Sequence, residues 1–123
     1  MATIQHLTDT LVGSTYRVTW DPLTFAGLDE GSEVDAPDHT FKEIQVFGDF
    51  GAGGNVVIEG SLDGGTTWAT LNDVQGNALN VSAAKIERVQ ESTARIRPRV
   101  SAGDATTDLT VVMIIKLDGA TAS

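Results

Sequence analysis

The run Val56-Val57-Ile58-Glu59-Gly60-Ser61-Leu62-Asp63-Gly64-Gly65-Thr66-Thr67-Trp68-Ala69-Thr70-Leu71 spells a β-hairpin. Val56 to Gly60 is β-branched and follows the breaker Gly53-Gly54-Asn55, so it reads as a strand. Asp63-Gly64-Gly65 supplies the positive φ angles that a narrow turn needs. The Asp63 carboxylate suits acceptance from turn amides a few residues on, with Ser61 and Thr67 as weaker helpers. Trp68 opens the return strand and offers a large apolar surface to a core. Ser61, Asp63, Gly65, Thr67 and Trp68 therefore form a structural turn motif.

The spelling Ser-x-Asp-x-Gly-x-Thr-Trp resembles the Asp box of sialidases. That resemblance implies fold rather than catalysis, because such boxes lie at the periphery of the propeller. A propeller also needs several four-stranded blades, and one box in 123 residues does not supply them.

Outward from the hairpin, short strands alternate with turn signals. Tyr16 to Trp20 is one strand, ended by Asp21-Pro22, and Phe41 to Phe47 is another. Gly48 to Gly54 is a turn, Asp73 to Asn77 a second, and Ala78 to Val81 follows. Ser82 to Gln90 differs. Ser82 suits an N-cap, and Ala83, Ile86 and Val89 recur at helical spacing, so a short helix is predicted over 82–90. Thr93 to Val100 returns to strand, and Leu109 to Leu117 is the most apolar segment. Its unbroken apolar run predicts a central strand covered on both faces. The tail from Asp118 to Ser123 is small and polar, which predicts fraying.

Seven or eight short strands with one short helix make an all-β fold, an antiparallel β-sandwich or a small barrel. The length fits one domain. Residues 1–40 read as an N-terminal arm or acidic loop region packed on the domain, and 41–118 as the sandwich core.

Net charge is −9, and Asp29, Glu30, Glu33, Asp35 and Asp38 fall close together. Such a surface disfavours nucleic acid and anionic membranes as partners. Carboxylates are suitable calcium ligands, but no EF-hand spacing is present and no metal is expected. Cysteine is absent, which excludes disulfides and thiolate metal sites. No basic region with an apolar run opens the chain, so no signal peptide is expected. The run Val111-Val112-Met113-Ile114-Ile115 is too short to span a bilayer.

Catalytic signatures are missing from the sequence. His6 and His39 lack metal-ligand spacing. No nucleophile elbow, phosphate loop or dinucleotide fingerprint occurs. Gly51-Ala52-Gly53-Gly54 joins two strands and leads into no helix, so it lacks the geometry of an anion site. Neither catalytic residues nor a cofactor is expected, and the chain reads as a non-enzyme.

Arg95-Ile96-Arg97-Pro98-Arg99-Val100 alternates cleanly, placing three arginines on one face. Pro98 lacks a donor and so marks an edge strand or a bulge. Three neighbouring arginines repel unless carboxylates meet them. Glu87 and Glu91 are the nearest candidates in sequence, and another subunit or a partner protein is the alternative. Arg95, Arg97 and Arg99, with Glu30, Glu33 and Asp35 of the acidic loop, are the candidate contact residues.

Residues 43–116 resemble a family of capsid decoration, or cement, proteins of tailed bacteriophages. The resemblance rests on the order and spacing of Val46-Phe47-Gly48-Asp49-Phe50-Gly51, the hairpin Val57 to Trp68, Asp73-Val74-Gln75-Gly76-Asn77-Ala78-Leu79, Ile86-Glu87 and Arg95-Ile96-Arg97-Pro98. Trp20-Asp21-Pro22-Leu23 extends it toward the N-terminus. It implies a β-rich subunit, a homotrimer, that binds the outer surface of the head where major capsid proteins meet. Localisation would be the virion, after assembly in the cytoplasm of a bacterial host. Two alternatives stand beside it. One is a carbohydrate-binding module using Trp20, Trp68 or Tyr16 as stacking platforms, and the other is a tail or baseplate component.

Overall fold

The computed structural model describes residues 3–13, 15–27, 29–35, 41–91 and 93–116. Leu28, Asp38, His39, Leu117 and the tail from Asp118 to Ser123 lie outside them. In chain order the strands are β1 (Thr3–Ile4), β2 (Leu7–Val12), β3 (Thr15–Thr24), β4 (Glu30–Gly31), β5 (Val34–Asp35) and β6 (Phe41–Asp49). They continue with β7 (Asn55–Ser61), β8 (Ala69–Thr70), β9 (Asn80–Val81), β10 (Lys85–Arg88), β11 (Arg95–Ala102) and β12 (Asp108–Lys116).

Two sheets share one core. The five-stranded sheet runs β10-β6-β12-β3-β2. The seven-stranded sheet runs β1-β4-β11-β7-β8, with β5 also on β11 and β9 also on β7. The sheets are separate and open, so the fold is a sandwich and not the barrel that the sequence also allowed. Among the described residues twelve strands replace the seven or eight expected: β1, β4 and β5 are two-residue pieces too short to leave an alternation, β2 lies in the stretch read as an arm, and β10 in the stretch read as a helix.

Period-two alternation builds the core from both layers. Val18 and Trp20 of β3, Ile44 and Val46 of β6, and Leu109, Val111, Met113 and Ile115 of β12 point inward from one sheet. Val56 and Ile58 of β7 and Ile96 and Val100 of β11 meet them from the other. Full burial of such side chains stabilises by about 1.5–3 kcal/mol each. β12 is central, between β6 and β3, as its composition predicts. Its second apolar face, Val112 and Ile114, is half-buried in a groove lined by Arg17, Glu43, Gln45 and Ile86.

Residues 3–35 are woven into both layers. β3 pairs with β12 through eight registered positions, and β4 and β5 pair with β11. Trp20 is 1% exposed, and its Nε1–H donates to the Ser32 carbonyl at 2.9 Å. Gly31 packs between Trp20 and Pro98, where a Cβ would lie 2.6 Å from both side chains.

The predicted helix over 82–90 is not formed. Ser82 to Ala84 bend, and Lys85–Arg88 is a strand pairing antiparallel with Glu43 to Val46 of β6. Ile86 is 57% exposed while Val89 is 3% exposed, so their spacing of three does not mark one buried face. A two-turn helix nucleates at a cost and would leave this side of β6 unpaired.

Pro98 lies inside the sheet, between β7 and the pair β4 and β5, rather than at an edge. Its partner Ile58 donates to the Leu79 carbonyl and accepts from the Leu71 amide, so Ile58 turns its backbone groups away from β11. Pro98 therefore turns its missing donor the other way. There the chain passes from β4 to β5 and pairs with Arg95, Ile96 and Arg99 but not with Pro98. A proline fits this central strand because its ladder is interrupted at that position. Pro98 thus marks neither an edge nor a bulge, and the register with β7 shifts only further on, between Val100 and Ala102.

Candidate functional site

On the outer face of the seven-stranded sheet, β11 presents Arg95, Arg97 and Arg99 beside Glu59 of β7. Alternation in Val56-Val57-Ile58-Glu59 sends Glu59 to the face opposite Val56 and Ile58. Glu59 is 6% exposed and is bound twice: Arg97 Nε lies 3.1 Å from Oε1 and Arg99 Nε 3.0 Å from Oε2. Arg97 Nη1 also donates to Glu30 Oε2 at 2.6 Å. Arg95 Nη1 binds Glu33 and the Gly64 carbonyl, and its Nη2 lies 3.9 Å from Asp35.

The two sets of contact residues marked in the sequence thus meet each other. Three guanidiniums face four carboxylates, Glu30, Glu33, Asp35 and Glu59. The expected counter-charges, Glu87 and Glu91, are engaged elsewhere. Glu87 pairs with Lys85, and Glu91 accepts from the Asn72 amide and side chain, both at 2.7 Å. Glu59 went unnoticed in the sequence, although a carboxylate inside a β-branched strand, on the face of an arginine stripe, is its signal.

The turn motif folds over the same face. Ser61 Oγ accepts from the Gly65 amide at 3.0 Å, and Asp63 Oδ1 accepts from the amides of Thr66 and Thr67 at 3.1 and 2.8 Å. The Thr67 amide, then the Ser61 hydroxyl, holds the Asp63 carboxyl down to about 2. A Cβ on Gly65 would meet Glu33 Oε2 at 2.8 Å, at a φ of +89°. Trp68 does not anchor the core, contrary to expectation. Its Nε1–H caps the Gly65 carbonyl at 3.0 Å, and its ring lies 4.1 Å beneath the Arg97 guanidinium. The hairpin is short, so its return strand places Trp68 outside the sheet, where a cation–π contact replaces apolar burial.

His6 is fixed through Ser32, whose Oγ is 2.6 Å from Nδ1. It borders a concavity of about 300 Å³ at the β2 side of the sandwich, with Thr8, Tyr16 and Asp35 among its walls. Among the described residues, no group of three or more His, Asp and Glu is arranged to hold a metal ion. No described helix is long and apolar enough to cross a membrane.

No protein-family model and no curated protein matches the chain. Among solved structures it is similar to the SPBc2 prophage-derived protein YomS, at 10% identity and a TM-score of 0.58, over 87% of this chain and 98% of that one. It is also similar to the cupin domain of Drosophila melanogaster CENP-C, at 13% identity and a TM-score of 0.40, over 90% and 74% of the two chains. Fe(II) HppE matches at 13% identity and a TM-score of 0.41, over 90% and 50%. The likeness to YomS is one of fold.

Proposed function

We propose that this chain is a structural protein of a phage particle, a decoration or cement protein. It binds the outer surface of the head against the major capsid protein, as a homotrimer assembled in the cytoplasm of a bacterial host. It turns over no substrate and uses no cofactor, nucleic acid or membrane.

The observation that carries this proposal is the exposure of large apolar side chains on one sheet. Leu7 and Val12 of β2 are both 73% exposed, Ile86 of β10 is 57% exposed and Phe47 of β6 is 41% exposed. Spread over one sheet face, with Val112 and Ile114 half-buried between its edges, they offer apolar surface for protein contact. The fold shared with a prophage-derived protein supports the phage setting. The arginine–carboxylate network supplies polar contact, since Arg95 and Arg99 keep 32% and 34% of their side chains exposed. Trp20, at 1% exposure, offers a sugar no stacking face, and the Trp68 ring already carries Arg97.

The mechanism is mechanical. Area buried between subunit and shell stabilises the filled head by mass action and opposes rupture under DNA pressure. DNA-filled heads stripped of this protein should rupture at a lower temperature, and adding it back should restore the higher one. No shift on saturation would contradict the proposal.

A further inference from the structure

The two edges of the five-stranded sheet match each other. Among the described residues β2 pairs with β3 alone and β10 with β6 alone, and all six residues of β2 are exposed. Each step from β10 to β2 is antiparallel. Four such steps leave β10 and β2 pointing the same way, so joining β2 of one copy to β10 of the next makes a parallel pair.

The cross-strand registers set what would meet at that joint. On the face turned from the core, Leu7, Thr19, Val112, Gln45 and Ile86 form one continuous row from edge to edge. Asp9, Arg17, Ile114, Glu43 and Arg88 form the next. A closed ring of identical copies permits no net shift along its axis. Where the two edges join without stagger, rows that end level are the rows that meet. Leu7 would then contact Ile86 of the next copy, and Asp9 would face its Arg88. Both contacts are favourable, one apolar and one between opposite charges.

We propose that copies of this chain associate head to tail through parallel pairing of β2 with the next copy's β10, closing into a ring. This deepens the homotrimer of the proposed function and rests on self-association, independently of capsid binding. Unpaired strand edges are ready templates for such pairing.

Two variants test it, Leu7→Asp and Ile86→Asp, both at exposed positions that leave the core untouched. Sedimentation velocity of the full chain at about 0.1 mM, a concentration that detects weak specific association, should show an oligomer larger than a dimer. Each variant alone should be monomeric. An equimolar mixture should give a 1:1 heterodimer and nothing larger, because one intact β2 and one intact β10 remain. A monomeric wild-type chain would overturn both the joint and the homotrimer. An oligomer that survives both substitutions would overturn the joint alone, and so would a mixture that stays monomeric. Capsid binding by the wild-type chain, measured separately on heads, tests the attachment itself.

Discussion

The Arg97 guanidinium lies 4.1 Å from the centre of the Trp68 ring while its Nη1 stands 2.6 Å from Glu30 Oε2. One side chain thus ties the hairpin at Ser61–Trp68 to the acidic segment around β4. Its Nε reaches Glu59 as well, at 3.1 Å. Removing Arg97 leaves two carboxylates, on side chains only 16% and 9% exposed, short of a partner. Arg97→Ala should therefore destabilise the fold by about 2–4 kcal/mol, somewhat below the cost of breaking a fully buried pair. Urea unfolding measures it, and a loss below about 0.5 kcal/mol would place the network among neutral surface pairs.

Gly31 is held where a Cβ would sit 2.6 Å from Pro98 Cδ and from Trp20 Cδ1. Gly31→Ala should cost about 1–3 kcal/mol through overpacking. The effect should appear as a shifted denaturant midpoint with an unchanged slope. Unaltered stability would mean that the contact between β4 and the core is looser than described.

Hydrogen bonding from the Thr67 amide, then from Ser61, stabilises the charged form of Asp63 and lowers its carboxyl from 3.8 to about 2. A depressed carboxyl contributes stability that is present above its unfolded value and lost as pH falls through its folded one. The hairpin should stay ordered at pH 4 and above, and loosen as pH falls from 3.8 toward about 2. A carbon-detected NMR titration of Asp63 should give a midpoint near 2. A midpoint at the ordinary 3.8 would sink the turn geometry.

The layer architecture was legible because alternation is local. Ile44 and Val46, alternating with Glu43 and Gln45, declare an inward face whatever they meet. The arginine stripe was legible for the same reason. Its counter-charges were not, because Glu30, Glu33 and Glu59 lie 67, 62 and 38 residues from the arginines they bind. Lys85–Arg88 was misread because four residues carry too little pattern to distinguish an edge strand from a helical turn, and the ladder of β6 decides. Trp68 was misread because a large aromatic beside a turn serves equally well to fill a core or to carry a cation.

Attachment to the phage head is the central claim, and co-sedimentation tests it most directly. Purified chain would be mixed with expanded capsids that lack their decoration protein, taken from the phage or prophage that encodes it, and pelleted through a cushion. The account predicts saturable binding at a fixed number of copies per capsid. The pellet should lose the chain when unexpanded procapsids or an unrelated phage's capsids are used instead. Absence of the chain from the expanded-capsid pellet, at concentrations well above those of the capsid sites, would contradict it.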